Sequence, residues 1–139
     1  LIVDVKEHDR LAVWQTAGHA YVIDSSGKVI PGADAGRYPK LPLVVGKGAD
    51  QTASEILPLL AQRPRLMARI DALVRVDERR WDLRLKDGSL IQLPAVDQDS
   101  ALIRLDALDQ RERLLDLGFA RVDLRTPEEV AVRPSEGAV

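Results

Sequence analysis

The 139 residues include 20 Lys and Arg against 22 Asp and Glu, a formal net charge of -2, with 45% apolar residues. That length fits one domain with its own core, and the near balance of charge argues against a chain devoted to coating nucleic acid. Cysteine is absent and the histidines are limited to His8 and His19, which excludes disulfides, thiolate catalysis and multi-histidine metal centres. The longest apolar runs, such as Leu43-Val44-Val45, are far too short to span a bilayer. Because the first residue is Leu1 and not Met, a piece of a longer protein is expected.

The first fourteen residues read as extended: Ile2, Val3 and Val5, a charged stretch from Lys6 to Arg10, then Leu11-Ala12-Val13-Trp14. Gly18 marks a turn. Residues 20–24, Ala-Tyr-Val-Ile-Asp, lead into Asp24-Ser25-Ser26-Gly27, and Lys28-Val29-Ile30 returns as the second arm of a hairpin. Residues 31–42 hold Pro31, Gly32, Gly36, Pro39 and Pro42 and read as loop. Leu41 to Gly46 is a short extended piece, limited by Pro42, which has no amide to give to a ladder.

Thr52-Ala53-Ser54-Glu55 has capping-box spacing, with Ala53, Ile56, Leu57 and Leu60 on one face of the helix that follows. Pro58 should kink or shorten it. Pro64 suits the first position of a second short helix, with Leu66, Met67 and Ile70 on its apolar side. Trp81, Leu83 and Leu85 then alternate with Asp82, Arg84 and Lys86, so one face is buried and one is wet. A two-residue Asp87-Gly88 turn would put Leu83 opposite Gln92. A three-residue loop with Gly88 in a left-handed bulge puts Leu83 opposite Ile91 and Trp81 opposite Leu93, and is favoured. A helix is expected over roughly 99–117, capped by Asp99 or Ser100, with Leu102, Leu105, Leu108 and Leu115 in one stripe and Gly118 as its stop. A last hairpin follows: Ala120, Val122 and Leu124 alternate with Arg121, Asp123 and Arg125. Pro127 then opens a turn, and Val130-Ala131-Val132 returns. Residues 135–139 read as a loose tail.

No catalytic pattern stands out. Asp77-Glu78 and Glu128-Glu129 are adjacent pairs whose members point apart on a strand. Ser25-Ser26-Gly27 is not a nucleophile elbow, and Gly46-Lys47-Gly48 is too short for a phosphate loop. Arg79-Arg80-Trp81 and the stretch from Arg121 to Arg125 fit either a solvated sheet face or a partner-binding surface, where Arg and Trp concentrate. Aromatic residues total 4%, too few for a base-stacking platform. The final strand, about 129–133, ends the run of sheet elements. Arg133 and Pro134 suit an edge guarded against pairing, and Val130-Ala131-Val132 equally suits an edge that accepts a strand from another protein.

Five ordered motifs resemble the FtsQ/DivIB family of cell-division proteins. Val5-Lys6-Glu7 with Ala12-Val13-Trp14 is similar to the strand leaving that family's POTRA domain. Val22-Ile23-Asp24-Ser25-Ser26-Gly27-Lys28-Val29 resembles its next hairpin, and Leu41-Pro42-Leu43-Val44-Val45-Gly46 its Leu-Pro…Gly segment. Arg79 to Leu85, with Gly88 and Leu93-Pro94, resembles its central hairpin, and Val122-Asp123-Leu124-Arg125 its C-terminal signature. Asp9-Arg10 stands where the family often has Arg-Pro, a departure confined to the junction.

The resemblance implies an α+β fold: a curved antiparallel β-sheet with α-helices packed on one side, preceded by the last strand of a POTRA domain. Residues 1–11 would end the POTRA domain, 12–134 would form the β-domain, and 135–139 a flexible tail. It implies a non-catalytic scaffold of the division machinery, without cofactor, that binds FtsB- and FtsL-type proteins in the periplasm. One N-terminal helix outside this chain would anchor it in the inner membrane. The partner would add a strand at Val130, Ala131, Val132 and Arg133, and its carboxylates would meet Arg79 or Arg80, Arg125 and Thr126. The rival reading is a POTRA-associated module of an outer-membrane secretion or assembly system. A third, an enzyme acting on cell-wall glycan, would need two facing carboxylates in a cleft.

Overall fold

In a computed structural model, residues 10–127 and 129–134 are described. Of the expected POTRA strand at 1–11, residues 1–9 lie outside them, as does the expected tail at 135–139. The elements in chain order are β1 (Arg10–Thr16), β2 (His19–Asp24), β3 (Leu43–Val45), α1 (Ala49–Ala61), α2 (Pro64–Arg69), β4 (Ile70–Val76), β5 (Arg80–Leu85), β6 (Leu90–Gln92), α3 (Gln98–Glu112), β7 (Phe119–Asp123) and β8 (Ala131–Pro134). The strands form one sheet in the order β2-β1-β3-β4-β5-β6-β7-β8.

The α+β class holds, but the sheet is mixed where an antiparallel one was expected. Pairs β1–β2, β4–β5, β5–β6 and β7–β8 are antiparallel. Pairs β1–β3, β3–β4 and β6–β7 are parallel. Parallel neighbours need a long crossover. Helices α1 and α2 supply it between β3 and β4, and α3 supplies it between β6 and β7.

Period-two alternation fixes which side of the sheet is covered. Trp81, Leu83 and Leu85 of β5 join Ala12, Ile23, Val44, Leu73, Ile91 and Val122 in one core with Ile56, Leu57 and Leu60 of α1 and Leu102 and Leu105 of α3. Both long helices therefore sit on one face, and Arg63, which follows α1, bonds Asp106 of α3 through Nε at 2.7 Å. Residues one step along the strands, among them Asp82, Arg84, Arg121 and Asp123, face the other side, hereafter the open face.

The β5–β6 loop has the expected three residues, with Leu83 opposite Ile91 and the Leu93 amide donating to the Trp81 carbonyl at 3.0 Å. Gly88 takes φ +89°, the left-handed conformation the bulge requires. Pro64 opens α2 as expected.

Other local expectations are corrected. The hairpin that aligns β1 with β2 turns at Ala17-Gly18, both with positive φ. The expected return at 28–30 survives as one bridge, Ile23 to Val29, because Asp24 Oδ1 draws the amides of Ser26 and Lys28 into a tight turn. Helix α1 begins at Ala49, not at the Thr52 box. Gly46 and Gly48, at φ +109° and +80°, let the chain turn directly from β3 into the helix, and the Thr52 hydroxyl donates to the Gly48 carbonyl instead. Pro58 does not end α1, because it lies on the exposed side, where the carbonyl it deprives of a partner is open to water. Helix α3 starts at Gln98 and stops at Glu112. Arg113 adopts φ +51°, and Asp109 Oδ1 takes the Leu115 amide at 3.0 Å, so Leu115 falls in a separate 3-10 turn.

Candidate functional site

Beyond β8, no further strand pairs among the described residues. All four of its residues are exposed, including Val132 at 42%. At the opposite margin of the sheet, β2 is partly covered: the Asp24 amide donates to Lys28 and the Ile30 amide donates to Val22. The β8 margin has no such cover among the described residues, so it presents ladder groups to whatever approaches. Ala131, Val132 and Arg133 lie in β8 as expected. Val130 precedes it and is half-buried against the core.

The arginines singled out from the sequence separate into two places. Arg79 lies in the exposed β4–β5 corner, its amide bonded to the Val76 carbonyl. Arg80 is on the open face, and its Nε is 3.6 Å from Asp82 Oδ1. Counting back from Trp81, which is 1% exposed, period two already places Arg80 on the wet face. Arg125 follows β7 and grips Asp123 at two points, Nε to Oδ1 at 2.9 Å and a terminal nitrogen to Oδ2 at 2.8 Å. Thr126 is exposed, and its carbonyl accepts the Glu129 amide in the turn that leads toward β8.

Beside Arg80 and Arg125 lies a polar row that the sequence reading did not single out. Asp82, Gln92, Asp123 and Ala131 are successive cross-strand partners on β5, β6, β7 and β8. Asp82 is 7% exposed and Gln92 5%. Burial pushes the Asp82 carboxyl above its ordinary range, opposed by Arg80 and, more weakly, by Arg125 and Arg121. Asp123 moves the other way, held below the usual carboxylate range chiefly by its bonds to Arg125. Asp82 Oδ1 and Gln92 Oε1 have no hydrogen-bond partner among the described residues. The alternation of β5 put Asp82 on the wet side. Its burial comes from neighbouring strands and is invisible in one segment.

One row further along, Arg84, Leu90, Arg121 and Arg133 are cross-strand partners on β5 to β8. They line a shallow hollow of about 510 Å³. A larger hollow, about 620 Å³, lies at the α2–α3 junction. Its carboxylates are engaged: Asp106 with Arg63, Asp116 with Arg69, and Asp109 with the Leu115 amide. No group of three or more metal-ligating side chains occurs among the described residues, and no helix there is long and apolar enough to cross a membrane.

Fold and margin together define an α+β domain whose distinctive feature is an open sheet edge beside arginines. The comparisons give it a family. The family described as "Cell division protein FtsQ/DivIB, C-terminal" matches residues 12–125. Cell division protein FtsQ of Caulobacter vibrioides is 65% identical over all 139 residues, which cover 46% of that protein. FtsQ of Bradyrhizobium diazoefficiens is 42% identical over 99% of this chain and 40% of its own length. The solved major extracytoplasmic domain of the cell division protein DivIB from Geobacillus stearothermophilus aligns with a TM-score of 0.51 and 16% identity, over 78% of this chain and 97% of that one, a likeness of fold alone. The chain belongs to the FtsQ/DivIB family of cell division proteins, and it spans less than half the length of these curated relatives.

Proposed function

We propose that this domain is a non-catalytic scaffold of the division machinery that captures FtsB- and FtsL-type proteins by strand addition at β8. The observation that carries the reading is the exposed β8 margin, unpaired among the described residues. Main-chain pairing there supplies affinity with little demand on sequence, and charges beside the edge fix the register. Arg80 is the better candidate of the two arginines before Trp81, because it shares the open face with Arg125, while Arg79 is in the corner. Thr126 lies at the turn toward the same edge. The engagement of the carboxylates at the α2–α3 junction supports a binding role over hydrolysis. The domain would stand in the periplasm at the septum. Residues 1–11 would lead in from a POTRA domain, and a membrane helix outside this chain would anchor it.

The test is titration of the domain with a purified FtsB–FtsL-type periplasmic segment at two salt concentrations. Ala131→Pro, Val132→Pro and Arg125→Glu are run in parallel. Saturable binding that salt and Arg125→Glu weaken, and that at least one proline abolishes, is the expected result. Wild-type affinity in both proline variants removes strand addition as the mechanism.

A further inference from the structure

Arg121 and Arg133 are directly opposed across β7 and β8. Like charges in that relation repel. Neither takes part in an ion pair among the described residues. Arg84 lies in the same row and is only partly committed, its Nε 3.1 Å from Asp71 with both side chains about half exposed. Leu90 fills the place between Arg84 and Arg121. The row spans three strand spacings, about 14 Å, and ends at the open margin. The result is a hollow with an apolar floor at Leu90 and guanidinium groups around it.

We infer that this row is a carboxylate subsite that reads the register of the strand added to β8. The inference rests on the strand-addition reading above. A residue of the incoming strand placed opposite Arg133 projects onto the open face beside Arg133, with Arg121 one strand further in. A Glu there meets the Arg133 guanidinium directly, and the long Arg121 side chain reaches across β8 to the same carboxylate. The next residue lies opposite Val132, on the helix side, where an apolar side chain covers exposed Val132. The one after it lies opposite Ala131, in the row of Asp123, Gln92 and Asp82. A slip of two residues keeps every side chain on its face but moves the acid from the arginine row to the carboxylate row. Attraction in one register and repulsion in the other select one alignment. This subsite is separate from Arg80 and Arg125, which flank the carboxylate row on its other side.

The experiment uses the same FtsB–FtsL-type segment with Arg121→Gln, Arg133→Gln and the double variant. Each single change is expected to weaken binding about fivefold and to lessen its salt dependence, the size of a partly exposed ion pair. Melting temperature should hold or rise, because a repulsion is relieved. Glu→Gln and Asp→Asn changes along the segment, crossed with Arg121→Gln, should locate one carboxylate whose effect disappears in the variant. Wild-type affinity in the double variant overturns the subsite. So does a loss that no segment carboxylate shares. Vesicles of phosphatidylglycerol and phosphatidylcholine form a second arm. If they bind the wild type but not the double variant, while segment binding is unchanged, the row serves a lipid and the inference fails. The proline variants separate the two failures: if they bind normally, strand addition itself is wrong. If they block binding while the arginine variants do not, only the subsite is wrong.

Discussion

Arg125 and Asp123 hold each other at two points, 2.9 and 2.8 Å apart, and the Arg125 amide also donates to Asp123 Oδ1 at 2.9 Å. The arginine aimed at a partner is thus already engaged within its own chain. The pair is partly exposed, so its contribution to stability is small, about 0.5 kcal/mol. Its larger effect is to orient the guanidinium while keeping it from a partner's carboxylate.

Asp123→Asn tests that competition. The folded-state carboxyl is depressed, so its stabilisation is present above the ordinary Asp value near 3.9 and fades as pH falls through the folded value. The variant is expected to lose about 0.5 kcal/mol at neutral pH and nothing in strong acid. Its affinity for the FtsB–FtsL-type segment should rise, because Arg125 is released. Thermal melts across pH, paired with titration, decide it. Weaker binding with an intact fold would mean that orientation by Asp123 matters more than competition.

Two glycines with nearly equal φ separate backbone strain from crowding. Gly88 has open space where a Cβ would sit, whereas at Gly27 that atom would lie 2.7 Å from the Asp50 carbonyl oxygen. Gly88→Ala therefore costs only the left-handed conformation, about 1–2 kcal/mol. Gly27→Ala adds displacement of α1 and should cost about 1 kcal/mol more. Urea denaturation of the two variants measures the difference. Equal losses would show that the turn at Gly27 yields without disturbing the helix.

The same two glycines show what the sequence could and could not reveal. The β5–β6 register was legible, because only one loop length puts Leu83 and Ile91 on the same face. The left-handed turn at Gly88 follows from that register alone. The contact between Gly27 and Asp50 joins a turn to the first turn of α1, well separated in sequence, and no local pattern carries it. Thr52 illustrates the converse. Its capping-box spacing is genuine, but two glycines upstream let the helix begin a turn earlier. At the candidate site, β8 was legible as the last strand and Arg125 as a charge beside it. The parallel pairing of β6 with β7 was not, and it is this pairing that builds the two polar rows.

Trp81 anchors the helix-covered face at 1% exposure, with the Arg75 guanidinium 5.2 Å from its ring centroid. Trp81→Ala is expected to cost about 3–5 kcal/mol through the cavity it leaves. Trp14 then remains as the sole tryptophan and reports unfolding in urea by fluorescence. Arg75→Ala removes the cation–π contact together with the 3.0 Å hydrogen bond from Arg75 to the Glu78 carbonyl and should cost about 1 kcal/mol. A Trp81→Ala loss no larger than that of Arg75→Ala would mean the core closes over the gap.

Asp82→Asn turns on a sign opposite to that of Asp123. Burial raises the Asp82 carboxyl in the folded state despite Arg80, so the folded domain binds this proton more tightly than the unfolded chain does. The stabilisation it brings is complete below the ordinary Asp value near 3.9 and is lost as pH rises through the raised folded value. At neutral pH the ionised group is a net cost. Asn keeps the shape, carries no charge and can donate toward the neighbouring Gln92 oxygen, which lacks a partner among the described residues. The variant should therefore melt higher than wild type at neutral pH and match it in acid. A lower melting temperature at neutral pH would show that the 3.6 Å pairing with Arg80, together with the fields of Arg121 and Arg125, outweighs desolvation. Asp82 would then be the fixed anion that holds three arginines on the open face beside the β8 edge.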